Sequence, residues 1–195
     1  MPRTAPADRV REILAAALAE FARHGYQGAR MQAIAAAAGV ADGTLYLYFR
    51  NKRDLLAAVV RAGMGEYMAR LEERLAGSAD GVEELGRLVR FHLEYLAERP
   101  ELARVAEVEL RQPDPAIRAA VREAIGPFVQ RIDAVLARGR REGRFRADVD
   151  ARVARRMVFG TLDECVSAWV QARHPYPLAA LAPDVERLLL GGIRA

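Results

Sequence analysis

A chain of 195 residues, 52% of them hydrophobic and rich in Ala and Leu, is long enough to bury a sizeable core and favours helices over sheet. One cysteine, Cys165, excludes an internal disulfide and a thiolate metal cluster, and no run approaches roughly 18 uncharged apolar residues, so neither a membrane span nor a secretory leader is expected and the cytoplasm is the expected compartment. Of the net charge of +4, most sits in residues 1–60, with 8 basic against 5 acidic side chains; residues 61–195 carry 22 against 21, a balance compatible with a nucleic-acid partner for the first third.

Residues 1–7 hold two prolines and no apolar period, and read as a loose arm with Arg3, Arg9 and Arg11 in and beside it. From Asp8 to Arg23, Val10, Ile13, Leu14, Ala17, Leu18 and Phe21 recur three and four apart, the stripe of an amphipathic helix that Gly25 should end. Met31 to about Ala38 is a short alanine-rich helix that permits close packing, and Gly39 turns the chain so that Val40 returns to the core. A second short helix runs Asp42–Phe49. Its Leu45 and Phe49, four apart, should face inward, leaving Thr44, Tyr46 and Tyr48 outside.

Two short helices around a glycine turn have the geometry that sets a second helix into a DNA major groove. Exposed hydroxyls and rings there suit phosphates, sugars and thymine methyls, and Gly43 lets backbone approach a duplex. Asn51 is placed to cap a helix beginning at Lys52, which is read as a phosphate clamp beside that helix end.

That helix should continue to about Leu75 on an apolar side that includes Leu55, Leu56, Val59, Val60, Tyr67 and Leu71. After a turn at 77–81, a helix to about Ala97 carries Leu85, Leu88, Val89, His92, Leu93 and Leu96 on one face. Further helices are predicted near Pro100–Arg111, about Ala116–Arg141, from Asp148 past Trp169, and about Pro183–Gly191. The last two, with Met157, Leu162, Val166 and Leu188–Leu190, are candidates for a self-complementary four-helix interface in a homodimer. A dimer would set two recognition helices about 34 Å apart on DNA. Arg140, Arg141, Arg144 and Arg146 around Gly143 read as a solvated turn.

Gly25-Tyr26, Ile34-Ala35, Ala38-Gly39-Val40, Gly43-Thr44-Leu45-Tyr46, Tyr48-Phe49 and Asn51-Lys52 followed by Leu55-Leu56 together resemble the DNA-binding domain of tetracycline-repressor-type (TetR) regulators. The resemblance implies an all-α homodimer of about nine helices. Residues 8–54 would form a three-helix helix-turn-helix domain, and residues 55–195 a helical ligand-binding and dimerisation domain. It also implies operator DNA contact at Gly43, Thr44, Tyr46, Tyr48 and Lys52. One departure is Ala29, where the family commonly has Ser or Thr; a lost helix cap there costs about 0.5–2 kcal/mol, and Arg30 is expected to restore a phosphate contact.

Glu107–Gln112 and Met157–Trp169, with Tyr176 and Leu178–Leu181, are similar to the fatty-acid-degradation repressors within that family. That likeness implies repression of fatty-acid β-oxidation genes and release from DNA by long-chain acyl-CoA, an effector rather than a cofactor. An acyl chain needs an apolar tunnel and its nucleotide needs donors at the mouth. Phe91, Tyr95, Leu96, Leu102, Val105, Phe128, Phe159 and Leu162 are candidate lining, each taken alone better explained as ordinary core. Arg87, Arg90, Arg104 and Arg111 are candidate phosphate partners, each equally explained as helix surface. Asp163 and Glu164, which interrupt an apolar helix, are read as pairing with arginine. A repressor of an efflux or other metabolic operon with a different apolar inducer is the alternative. The three histidines at 24, 92 and 174 are scattered, and no phosphate loop or nucleophile elbow occurs, so no enzyme and no metal site are expected.

Overall fold

The computed structural model describes residues 6–111, 113–172 and 176–195, together with the backbone but not the side chains of Glu109 and Leu110. Arg3, Gln112 and His174 therefore lie outside the described residues, as does the Leu110 side chain. The described residues form nine α-helices and one 3-10 turn: α1 Pro6–Gly28, α2 Met31–Ala37, α3 Asp42–Tyr48, α4 Lys52–Leu75, α5 Gly81–Ala97, α6 Pro100–Leu110, α7 Pro115–Arg141, α8 Ala151–Gln171, the 3-10 turn Leu178–Leu181 and α9 Ala182–Ile193. No helix among them is long and apolar enough to cross a membrane.

Contacts divide the chain into two compact units. The first comprises the described residues of Met1–Gly65 and Arg104–Ala124. Its centre is built by Ile13, Ala17 and Phe21 of α1, Ile34 and Ala35 of α2, Leu45 of α3 and Leu55, Leu56, Val59 and Val60 of α4, all buried. α1 packs on α2 and α2 on α3. Gly25 breaks α1 as expected, with φ of 65° and ψ of 172°, so the last turn before α2 leaves at an angle that a side chain would resist. Gly39 also takes a positive φ, 65°, at the turn between α2 and α3.

Two inward assignments need correction. Val40 and Phe49 are half-buried rather than buried. α3 closes at Tyr48, and Phe49 is already extended at φ −134° and ψ 116°, which swings its ring off the helical face that Leu45 occupies.

The second unit comprises Glu66–Ala103 and Ile125–Ala195. α5 lies inside it, packed on α8, α9 and the 3-10 turn, and its apolar face, Leu85, Leu88, Val89, His92, Leu93 and Leu96, is the one the spacing predicted. Asp80 caps α5 by accepting from the Val82 and Glu83 amides, each at 3.0 Å. Gly81 and Gly139 allow α5 and α7 to meet backbone to backbone: a Cβ on Gly81 would lie 2.6 Å from the Gly139 Cα. α8 begins at Ala151, later than the expected Asp148, because Asp150 caps it through the Arg152 amide at 2.7 Å.

At the other end of this unit the chain doubles back. Arg146 N donates to Ile193 O at 2.9 Å and Ala195 N to Arg144 O at 3.0 Å, flanking an antiparallel bridge between Phe145 and Arg194. Around Gly143 the arginines are tied down as a solvated turn requires: Arg144 to Asp80, Arg146 to Asp148 and Arg140 to the Val149 carbonyl.

Candidate nucleic-acid interface and ligand core

The first unit sets its candidate DNA residues around α3. With Leu45 fully buried as the anchor, the rest of this seven-residue helix faces outward: Tyr46 is 53% exposed, Tyr48 39% and Leu47 85%, while Gly43 is exposed with open space where a Cβ would stand. Thr44 is half-buried. Gln32, Asp42, Tyr46, Arg50, Asn51 and Lys52 line a surface depression of about 420 Å³ between α2, α3 and the start of α4. Asn51 caps α4 as expected, its Oδ1 accepting from the Asp54 amide at 2.9 Å, and Arg50 pairs with Asp54 at 3.4 Å.

Arg30 is exposed at the N-cap of α2 and makes no side-chain cap. Its amide instead donates to Glu20 Oε1 of α1 at 3.2 Å. Ala29, where a hydroxyl was missed from sequence, is buried, so its methyl is core and Glu20 meets the orphan amide next to it. Lys52 is oriented by its own unit: Nζ donates to the Gln27 carbonyl at 3.2 Å and the Ala29 carbonyl at 3.0 Å, and stands 4.7 Å from the centre of the Tyr26 ring.

In the second unit, four of the ligand candidates converge with two residues that sequence reasoning counted only as apolar positions, Tyr67 and His92. Tyr67 is ringed edge-on by Phe91 and Tyr95 at 5.2 Å and Phe128 at 5.3 Å between ring centres. His92 stacks on Phe128 at 5.1 Å, and Phe159 follows at 6.4 Å from Phe128. The one polar link inside this cluster joins Tyr67 Oη and His92 Nδ1 at 2.9 Å. Burial lowers the His92 pKa to about 3 and pushes the Tyr67 phenol up, so at neutral pH the imidazole is uncharged, and with its proton on Nε2 its Nδ1 accepts from the phenol.

Among the described residues the buried Tyr95 hydroxyl meets no partner in good hydrogen-bond geometry; burial, and then the nearby Glu66 carboxylate, raise its pKa, against the opposing charge of Arg99. Leu96, Leu102 and Leu162 are buried in the same unit. The clue that was available for His92 and Tyr67 is that each polar tip stands in an apolar helical stripe, where burial obliges a partner.

The arginine candidates are divided between the two units. Arg87 is held by Glu83 and by the Ala76 carbonyl at 2.8 Å, tying down the end of α4. Arg90 reaches Glu186 of α9, which passes over Gly86 where a Cβ would block it. Arg104 is exposed, Arg111 pairs with Glu107 at 2.6 Å, and both belong to the first unit, as does the buried Val105. Asp163 is half-buried, and Glu164 is exposed beside Cys165 on α8. A buried glutamate that no motif singled out, Glu84, instead takes two arginines, Arg131 at 2.6 Å and Arg138 at 3.0 Å.

A helix-turn-helix with an outward-facing second helix, joined to a second helical unit, is an arrangement suited to a DNA-binding regulator. Residues 13–59 match the family model of bacterial regulatory proteins of the tetR family, and residues 60–192 match that of the YsiA-like protein, C-terminal region. The chain belongs to the tetR family. It is 38% identical over 182 residues to the fatty acid metabolism regulator protein of Bacillus subtilis strain 168, covering 93% of this chain and 94% of that one.

Among solved structures it is similar to the fatty acid degradation regulator FadR of Bacillus halodurans, at 40% identity and a TM-score of 0.88, covering 94% of this chain and 99% of that one. It is also similar to FadR of Bacillus subtilis in complex with stearoyl-CoA, at 38% identity and a TM-score of 0.89, covering 94% and 98%. These relatives are regulators of fatty acid metabolism or degradation.

Proposed function

We propose that the chain is a ligand-responsive repressor that binds palindromic operator DNA as a homodimer in the cytoplasm, controls fatty-acid β-oxidation genes and leaves DNA when long-chain acyl-CoA binds. The observation that carries this reading is the likeness, over 94% of the chain, to a regulator solved with stearoyl-CoA. Residues 8–54 are the DNA-binding domain in this reading and residues 55–195 the ligand-binding and dimerisation domain.

On the DNA side, Arg30, Thr44, Tyr46, Tyr48 and Lys52 supply donors and rings to the backbone, and Gly43 permits close approach. Leu47, absent from the sequence-derived set, adds an apolar side chain suited to a thymine methyl in the major groove. On the ligand side, Phe91, Tyr95, Leu96, Leu102, Val105, Phe128, Phe159 and Leu162 offer apolar surface to the acyl chain. Arg87, Arg90, Arg104 and Arg111 are the candidate cations for the nucleotide phosphates, each by exchanging the partners it now holds. Val153 and Met157 on α8 and Leu188 on α9, the last 75% exposed, give the late helices an apolar outer face that a second copy would cover.

Release requires that acyl-CoA prefer the DNA-incompetent arrangement of the dimer; a change from nearly all bound to nearly all free needs about a 10⁴-fold preference. α4, which runs without interruption from Lys52 to Leu75, is the element whose shift would carry the effect. The test is fluorescence anisotropy on a palindromic duplex enriched from a random pool by this protein, titrated with stearoyl-CoA and, separately, with CoA. Stearoyl-CoA should dissociate the complex while CoA leaves it intact. Equal operator affinity with and without saturating stearoyl-CoA rejects the account.

A further inference from the structure

Three polar tips stand in or beside the ring cluster of the second unit, and only two of them satisfy each other. Tyr67 Oη and His92 Nδ1 are joined at 2.9 Å. The third, Tyr95 Oη, is buried, belongs to a residue only 5% exposed, and meets no partner in good hydrogen-bond geometry among the described residues. Such a hydroxyl has given up its hydration without a return inside the free chain, so its presence calls for a use.

The surroundings of Tyr95 change character from one side to the other. Inward, its ring meets those of Tyr67 and Phe91, each at 5.2 Å, with Phe128 and Phe159 beyond them. On the other side the Arg99 guanidinium stands 3.9 Å from the ring centre and pairs with Glu66 at 3.2 Å and Glu98 at 3.4 Å, while the charge of Arg70 also acts on the phenol. All of these residues belong to the second unit. An acyl-CoA has its parts in the same order: a hydrocarbon chain, one thioester carbonyl that accepts a hydrogen bond, and then a polar, anionic nucleotide.

We infer that Tyr95 reads the thioester: its Oη donates to the carbonyl oxygen of the bound acyl-CoA, and so fixes where the acyl chain ends and the nucleotide begins. The proton needed for this is held at neutral pH, since burial and Glu66 both oppose ionisation of the phenol. Arg99 covers the ring in the free chain. Its partners Glu66 and Glu98 are both exposed, so solvent screens these pairs and the guanidinium can turn aside at small cost.

This inference rests on the acyl-CoA reading, and a ligand without the carbonyl separates the two. Stearoyl-CoA and S-octadecyl-CoA, the thioether with a methylene in place of the carbonyl, are titrated calorimetrically into the wild-type chain and Tyr95→Phe. The wild type should bind the thioester about fivefold more tightly than the thioether. Tyr95→Phe should lose that preference by weaker binding of stearoyl-CoA alone, with its affinity for the thioether unchanged. Its urea midpoint without ligand should be unchanged or higher, because no partner is lost.

A preference that survives in Tyr95→Phe, or an equal loss for both ligands, overturns the assignment. So does a lowered urea midpoint, which would show that the hydroxyl already has a partner in the free chain. A wild-type chain that binds both ligands alike overturns the role of Tyr95 and leaves the acyl-CoA reading standing, whereas one that binds neither overturns both.

Discussion

Leu47 and His92 are opposite cases of one rule, that a side chain's surroundings and not its type decide its work. Leu47 stands 85% exposed between two tyrosines on a helix of seven residues. In water its exposure has no return, but against a thymine C5-methyl it removes apolar surface from solvent. Replacing single thymines of the operator half-site by deoxyuridine should weaken wild-type binding at one position, and Leu47→Ala should abolish that one penalty and no other. If every deoxyuridine penalty persists in the alanine variant, Leu47 reads no methyl.

His92 is a titratable residue sealed among rings. Its pKa falls from the ordinary 6.5 to about 3 in the folded chain. Between those two values the unfolded chain binds a proton that the folded chain refuses. The stability that neutral His92 contributes is therefore full above about pH 6.5 and is lost progressively as pH falls toward 3. Urea denaturation from pH 7 to pH 4 should show this decline, and His92→Phe, though less stable at pH 7 because Tyr67 loses its acceptor, should show a flatter one. Equal pH slopes for the two proteins would exclude His92 as the source.

At the scale of elements, helix existence and most boundaries were legible because period, glycine and cap residues agree. Asp80, Asn51 and Pro100 stand at or just before helix starts, and Gly25, Gly39 and Gly77 take the positive φ values at which helices stop. What spacing does not reveal is pairing between distant segments. Phe49 has the correct interval from Leu45 to face inward, yet the helix ends one residue earlier and the interval loses its meaning. The candidate DNA face was largely legible, since it lies on one short helix and its flanks. The aromatic core was legible only in part, because its rings come from α4, α5, α7 and α8, and the polar tip of Tyr67 in an apolar stripe signals a buried partner without saying which distant residue supplies it.

Glu84 belongs to the same illegible class. It is a glutamate two turns from nothing remarkable in sequence, and it is buried between Arg131 and Arg138 of α7, while Arg131 also holds Glu72 of α4 at 2.8 Å. Removing one guanidinium leaves a buried carboxylate undercompensated. Arg131→Met should destabilise the chain by about 3 kcal/mol in urea unfolding, and the Glu84→Gln background should shrink that loss. A loss below about 0.5 kcal/mol would make the network a surface ornament.

For the whole molecule, the regulator reading joins stability to ligand and to self-association. Stearoyl-CoA that binds only the folded chain should raise its stability by about 2.7 kcal/mol at a hundredfold excess over Kd, seen as a dose-dependent rise in Tm that CoA does not reproduce. Self-association through α8 can be read at Cys165, the only thiol in the sequence. That thiol is half-buried on α8, and burial and then the neighbouring Glu164 raise its pKa, which disfavours the reactive thiolate. Pairing of α8 with a second copy should slow its alkylation as protein concentration rises through the dimer constant. A rate independent of concentration would move the interface elsewhere.

The pairing of Phe145 with Arg194 gives the last residues of the chain an uncommon duty. Ile193, Arg194 and Ala195 act as a buckle across the corner between α7 and α8: they hold residues 144–146 against the end of α9, and Phe145 in turn lies on Gly139, where a Cβ would overlap its ring. A protease that cuts within residues 144–146 or 193–195 must first undo the buckle, so cleavage there will follow the opening of this corner rather than the enzyme's own speed.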